Sequence, residues 1–360
     1  MFRQYGPKAL LAFFIHFYPH IGYIRARCSM KVLCVLNPGA AGGLAVKRWP
    51  EIADLLHRQG AAFDLLSSQN DLSLIQQVHD HLKAAGPGFY DVVAGIGGDG
   101  THAEIINGLM RYRAAAPAAP LPRYAFIPMG TGNDIAKSLG VRLQDDYSAR
   151  DLRRAVSTIV HGADYCLDLG VINGRYFADA LTVGLDSRIL IERNSRKRAI
   201  ENIPFLKYLA RGRFLYTLAL GSRFFQNAPT EGEIIVDGKP WYKGHLINVV
   251  VNNTRIYAGD FDFSTNAYPD DGLLDVVLFN AHVDYLTRYL LAIRHNPDKI
   301  RDLSADLHRR AMHVQGREIE IRMAHPESAQ VDGEVLPADS VFKIHVAHRV
   351  LPIKTPAEPL

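Results

Sequence analysis

From Met30 onward, short β-branched runs alternate with stretches whose apolar residues recur at helical spacing. Few folds besides a parallel sheet flanked by helices accommodate that alternation. KVLCVLN reads as a buried strand ending in the turn Asn37-Pro38-Gly39. Trp49 to Gln59 carries the helical period and stops at Gly60, AFDLLSS is a second strand, and Leu72 to Ala85 is a second helix. Tyr90 to Ile96 is a strand, Gly97 to Gly100 a tight turn, and Thr101 to Tyr112 a helix. Beyond an Ala/Pro linker at Ala114 to Pro122 the unit repeats as the strand YAFIPM, the turn Gly130-Thr131-Gly132 and a helix from Asn133 to Leu139.

After a further helix at Asp151 to His161 the texture changes. YCLDLGVIN, GRYFADALTVG, EGEIIVDGKP, GHLINVVVNN, GLLDVVLF, REIEIRM and FKIHVAH are short strands with turn signals between them, an all-β pattern interrupted by helical insertions at Leu206 to Phe225 and Val283 to Ile293. The spacing predicts an α/β domain over residues 30–164, a β domain over 165–350 and a tail from 351 to 360. A chain of 360 residues is long enough for two such cores. With 48% hydrophobic and 22% charged residues it falls outside the disordered and fibrous classes. The net charge of +4 suits anionic partners without singling one out. Cys28, Cys34 and Cys166 form no C-x-x-C pair, which excludes a disulfide framework and a cysteine zinc site.

Residues 1–29 stand apart. Ala9 to Ile24 is largely apolar and flanked by Arg3, Lys8, Arg25 and Arg27, but it is shorter than the roughly 20 residues a spanning helix needs. His16, Pro19 and His20 also interrupt it. The segment reads as sequence upstream of a natural start at Met30, as an interfacial anchor, or as a cleaved signal.

The segment DVVAGIGGDGTHAEIING carries the most chemistry. Gly97, Gly98 and Gly100 remove side chains where a backbone must turn sharply against an anion, and the following helix offers unpaired amides and its positive dipole end. A carboxylate at Asp99 repels phosphate, so Asp99 is expected to act through Mg²⁺ or water. Thr101 can cap the helix or donate to phosphate. A purely structural glycine turn is the competing reading. No G-x-x-x-x-G-K-[ST] occurs, and no G-x-G-x-x-G opens the first strand–helix unit, which disfavours a Walker-type NTPase and a dinucleotide oxidoreductase.

Two acidic constellations follow. Tyr268-Pro269-Asp270-Asp271-Gly272-Leu273 precedes a strand and reads either as a solvated turn or as an oxygen-rich cation site. In Val331-Asp332-Gly333-Glu334 the two acids are two apart; in extended backbone both would point to one side, where a carboxylate could take a proton from an alcohol, and the plain alternative is an exposed hairpin turn.

GGDGTHAEIING, the Asn37-Pro38-Gly39 turn and PMGTGNDIA together resemble the diacylglycerol kinase catalytic domain family, over a span from about Met30 to the late 340s. The resemblance implies an amino-terminal α/β domain that binds ATP, a carboxyl-terminal β-sandwich that receives a lipid, and an active site in the cleft between the two. It implies a nucleotide site lined by Asn37, Pro38, Gly39, Ala40, Ala41, Ser68, Gly98, Asp99, Gly100, Thr101, His102, Ala103, Glu104 and Thr131. It further implies Mg²⁺ held by Asp271 and the carbonyls of Tyr268 and Leu273, and a proton acceptor at Glu334 with Asp332 as partner or rival. Ala103 departs from the asparagine common in the family at that place. The expected protein is an ATP-dependent lipid kinase, acting on diacylglycerol or a related lipid alcohol, cytoplasmic and peripheral to the inner face of the membrane.

Basic residues interleaved with apolar ones between Arg188 and Arg223 suit an anionic membrane surface or, equally, a packed helix with a solvated basic face. Nucleic acid is not expected, because the apolar residues follow helix spacing instead of forming a stacking platform. A homodimer stays open as an oligomeric state. Two other functions share the cradle: a kinase of a soluble substrate such as NAD, and a catalytically silent lipid-binding regulator, which the departure at Ala103 motivates.

Overall fold

The computed structural model describes residues 30–69, 72–130, 132–141, 147–201, 229–257, 261–262, 267–282 and 312–357. Residues 1–29, Thr131 and the two expected insertions, Leu206 to Phe225 and Val283 to Ile293, lie outside them. The chain divides into two units. One ends at Cys166 and regains the chain from Leu351, and the other runs from Leu167 to Val350.

The first unit is an open α/β sheet. Strands β1 (Met30–Leu36), β2 (Ala61–Ser67), β3 (Val92–Gly97) and β4 (Arg123–Pro128) lie parallel in the order β2-β1-β3-β4. Helices α1 (Leu44–Arg58), α2 (Leu74–Ala85), α3 (Asp99–Ala115), α4 (Asp134–Ser138) and α5 (Ala149–His161) accompany them. Strands β1, β3 and β4 are buried nearly throughout, which is why they read as continuous apolar runs. One face of the sheet packs Val32, Cys34, Leu36, Ile96 and Ile127 against Ile52 and Leu56 of α1 and Leu152, Val156 and Ile159 of α5. Burial in that apolar core pushes the Cys34 thiol far above its ordinary range, so it stays a protonated, inert packing group. Helix α1 begins at Leu44, earlier than its apolar period suggested, and takes Pro50 into its length.

The second unit is built on β5 (Ala163–Ile172), β6 (Arg175–Phe177), β7 (Ala180–Gly184), β8 (Thr230–Val236), β9 (Lys239–Leu246), β10 (Asn248–Asn252), β11 (Ile256–Tyr257), β12 (Phe261–Asp262), β13 (Leu274–Phe279), β14 (Met312–Gly316), β15 (Glu318–Val331) and β16 (Glu334–Thr355). The strand order β14-β13-β10-β7-β15 is antiparallel throughout, β15 also pairs with β8, and β8 with β9. Leu181, Val183, Val249, Val251, Val276, Leu278, Ile319, Ile321, Phe342 and Ile344 fill one core.

Three local readings need correction. GRYFADALTVG was expected as one strand, but it bends at Ala178-Asp179 and forms β6 and β7. A helix, α6 (Leu185–Glu201), follows β7 where an all-β pattern was expected. Residues 351–355 continue β16, with Ile353 in parallel register with Tyr124 of β4, and are not part of a tail.

Candidate active site

The four parallel strands of the first unit end where the expected nucleotide residues begin. Asn37 follows β1, Ser68 follows β2, Gly98 follows β3 and Gly130 lies just past β4. Loops at the carboxyl ends of an open α/β sheet form its natural ligand site. The turns are tied to one another. Asn37 N–H donates to Ile96 O at 3.0 Å, Ser68 N–H to Leu36 O at 2.8 Å and Met129 N–H to Gly97 O at 2.5 Å. The Asn37 side chain donates to Thr101 Oγ1 at 2.9 Å and accepts from Gly39 N–H at 2.9 Å, which joins the first turn to the start of α3. Ala40 and Ala41 continue into a short 3-10 turn in which Ala41 takes φ 49°.

The two glycine turns touch backbone to backbone. A Cβ on Gly130 would lie 2.6 Å from Gly98 Cα, and one on Gly97 would lie 2.5 Å from Thr101 Cβ. Only glycine permits such an approach. Asn133 locks the second turn: its Oδ1 accepts from Gly130 N–H at 2.8 Å and its Nδ2 donates to Gly130 O at 2.9 Å.

Asp99 is half-buried and engages the second turn through one of its two oxygens, while Oδ1 has no hydrogen-bond partner among the described residues. Its Oδ2 accepts Asn133 N–H at 2.7 Å, and the amides of Asp134 and Ile135 bear on the same carboxylate. The acid of one glycine turn therefore caps the helix that starts from the other. Burial raises its pKa, and those amides oppose the rise.

The structure also removes two residues from the expected nucleotide lining. His102 is fully buried, its Nδ1 lies 2.6 Å from the Tyr124 hydroxyl, and its N–H is spent on Gly98 O at 3.0 Å. Burial holds its pKa down at about 3, a shift that the Gly97 carbonyl opposes. A Cβ on Gly95 would fall 2.1 Å from the Tyr124 hydroxyl, so that glycine makes room for the pair. Ala103 is 1% exposed and faces the core. Both side chains point away from any ligand over the loop because the turn of α3 that presents Thr101 to Asn37 sends the next two residues inward. Glu104 is half-buried and Thr131 is outside the described residues.

In the second unit, Asp332 and Gly333 form a two-residue hairpin with φ of 46° and 81°, Val331 pairing with Glu334. The left-handed turn overturns the reading that both acids point to one side. Asp332 is 5% exposed, and its carboxylate accepts Ala178 N–H at 2.9 Å, Asp179 N–H at 3.0 Å and Ala180 N–H at 3.1 Å. It is neither an exposed turn acid nor a free base. Glu334 is half-buried and ion-pairs with Arg175, whose strand follows a second left-handed turn, Asn173-Gly174.

At the other acidic constellation Asp271 N–H lies 3.4 Å from Tyr268 O, and Asp271 Oδ1 accepts Leu273 N–H at 2.9 Å, so the three expected cation ligands share one tight turn. Burial and the negative charges of Asp275, Asp168 and Asp270 raise the Asp271 pKa, against the Leu273 amide. A bound cation would relieve that crowding, and one carboxylate with two carbonyls is a hard-oxygen donor set suited to Mg²⁺. Among the described residues no group of three or more His, Cys, Asp or Glu gathers to hold a metal.

Sequence reasoning missed the residues that fasten this turn. Asp168 is fully buried and accepts Gly272 N–H at 2.6 Å and Arg349 N–H at 2.6 Å, with His348 Nδ1 at 2.9 Å. Asn253 donates to Asp168 O at 2.8 Å and to Ala178 O at 2.9 Å. Arg188, read as part of a basic surface, instead makes a two-pronged pair with buried Glu327.

A family model described as the diacylglycerol kinase catalytic domain matches residues 31–170, and one described as the YegS C-terminal NAD kinase beta sandwich-like domain matches residues 195–353. The chain is 25% identical over 276 residues to a diacylglycerol kinase of Bacillus subtilis, covering 75% of this chain and 80% of that one. It is 29% identical over 278 residues to a diacylglycerol kinase of Mycobacterium tuberculosis, covering 75% and 79%. With a probable lipid kinase YegS-like of Shewanella frigidimarina it shares 25% over 282 residues, covering 78% and 81%. A crystal structure of a diacylglycerol kinase from Bacillus anthracis superposes with a TM-score of 0.62 at 20% identity, covering 91% of this chain and 97% of that one, which establishes the shared fold.

Proposed function

Because this chain belongs to the diacylglycerol kinase catalytic-domain family, a family of lipid kinases, we propose that it transfers the γ-phosphoryl group of ATP to the hydroxyl of diacylglycerol or a closely related membrane lipid alcohol. The observation that carries the reading is the pairing of Gly98 with Gly130. No side chain fits between these two glycines, and the backbone amides at the start of α3 are the groups that a polyphosphate would meet there. Asn37, Gly39, Ser68 and Thr101, tied at the same strand ends, line that nucleotide site.

Glu334 is the proton acceptor. It takes the proton of the lipid hydroxyl as that oxygen attacks the γ-phosphorus, the bond to the β,γ-bridging oxygen breaks, and ADP leaves with the electron pair. Glu334 suits this role better than Asp332, whose carboxylate is committed to three amides. Arg175 holds the acceptor in one orientation. Asp271 with the carbonyls of Tyr268 and Leu273 would hold Mg²⁺, which when bound supplies positive charge to the acidic turn. The lipid reading carries with it a peripheral encounter with the membrane. Among the described residues no helix is long and apolar enough to cross one.

The test is a kinase assay on a panel of diacylglycerol, sphingoid base, phosphatidylglycerol and NAD, with products resolved by mass. Conversion of diacylglycerol to phosphatidic acid is the expected result. Phosphorylation of NAD with no lipid product would overturn the reading.

A further inference from the structure

The acidic turn at Tyr268 to Leu273 and the hairpin at Asp332-Gly333 lie at the same end of the strands in the second unit's sheet. The turn leads into β13 and the hairpin follows β15, with β10 and β7 between them. An unbroken chain of hydrogen bonds joins the two motifs. Gly272 N–H donates to Asp168 Oδ2 at 2.6 Å. Asn253 Nδ2 donates to the main-chain carbonyl of Asp168 at 2.8 Å and to that of Ala178 at 2.9 Å. Ala178 N–H donates to Asp332 Oδ2 at 2.9 Å, and Glu334 is two residues further along the chain.

Asn253 is the hinge pin of this chain. It is 1% exposed, and its Oδ1 is buried with no hydrogen-bond partner among the described residues. The side chain is therefore oriented by its two donated bonds alone, one to the segment that holds the acidic turn and one to the segment that holds the hairpin. Its main chain adds a third tie, Asn253 N–H to Asp179 O at 2.7 Å. A primary amide supplies two donors from one planar group; aspartate has none, and serine has only one. Leaving a buried acceptor unpaired carries a cost, which a residue serving only to fill space would avoid.

We propose that Asn253 is a positioning residue that couples the cation turn to the proton-acceptor hairpin, so that a divalent cation bound at Tyr268 to Leu273 steadies Asp332 and, through it, Glu334. The inference rests on the assignments of the cation turn and of Glu334 made above. A cation held by the turn would steady the bond from Gly272 to Asp168, and Asn253 would pass that order to Ala178 and the three-amide cradle of Asp332. Contiguity becomes coupling only when the far end responds to an event at the near end.

Hydrogen exchange by mass spectrometry on the full chain, with and without Mg²⁺ and with no nucleotide present, tests this directly. In the wild type, peptides covering the turn, residues 178–180 and the hairpin should all slow, by at least about threefold, when Mg²⁺ is added. In Asn253→Ala the turn should still slow while residues 178–180 and the hairpin no longer respond. Kinetically, the variant should lose about tenfold in kcat with KM for ATP unchanged. Asp168→Asn, which weakens the link to Gly272, should also uncouple the hairpin and serves if Asn253→Ala does not fold.

A wild-type turn that responds beside a hairpin that does not would overturn the coupling alone, as would a hairpin that responds equally in Asn253→Ala. A wild-type turn indifferent to Mg²⁺ would overturn the cation assignment and the coupling with it. Full activity of Glu334→Gln would remove the acceptor assignment while leaving the exchange result intact.

Discussion

At the scale of single residues, the buried His102–Tyr124 pair is the clearest departure from an apolar core. The ordinary histidine pKa of 6.5 falls to about 3 on folding because the ring is buried. Between those values the unfolded chain binds a proton that the folded chain does not, so stability falls as pH drops from 6.5 toward 3, by at most about 1.4 kcal/mol per pH unit. Chemical denaturation of His102→Val at pH 7 and at pH 4.5 should show a shallower loss than in the wild type. At neutral pH the same substitution strands the Tyr124 hydroxyl and should cost about 1–3 kcal/mol, most of which Tyr124→Phe restores in a double-mutant cycle. Asp332→Ala leaves three buried amides without their acceptor and should lower stability by on the order of 3 kcal/mol, seen as a fall in the denaturation midpoint.

At the scale of elements, the cradle is two turns that must touch. Gly130→Ala puts a methyl group 2.6 Å from Gly98 Cα, so the turns have to part. Nucleotide binding should weaken by about tenfold or more with little change in secondary structure, as read by fluorescent-nucleotide titration and circular dichroism. Gly174→Ala, at φ 75° with nothing within 4 Å of its Cβ, strains a turn in the other unit and should leave nucleotide affinity unchanged.

The elements also show what the sequence discloses and what it does not. Buried parallel strands announce themselves as apolar runs, and glycines and asparagines mark the turns at their ends, so the placement of Asn37, Gly98 and Thr101 at those turns was legible. The inward turn of His102 and Ala103 was not, because it depends on the phase of α3 relative to the sheet. Asp168 and Asn253 carry no local signal; their partners are 104 and 85 residues away in sequence. Helix α6 was hidden because LDSRILIERNSRKRAIE is dense in charge and shows little apolar period.

At the scale of the whole molecule, we assign polyphosphate binding to the glycine turns of one unit, and the cation turn and the proton acceptor to the other. The central claim is that this division of labour makes a lipid kinase in which Glu334 accepts the proton. Transfer of radiolabelled γ-phosphate from ATP to diacylglycerol in mixed micelles, measured side by side for the wild type and Glu334→Gln, tests it most directly. The account predicts phosphatidic acid from the wild type, with kcat lower by at least about 100-fold in the variant and KM for ATP unchanged. Equal turnover by the two proteins, or no labelled lipid from the wild type, would contradict it.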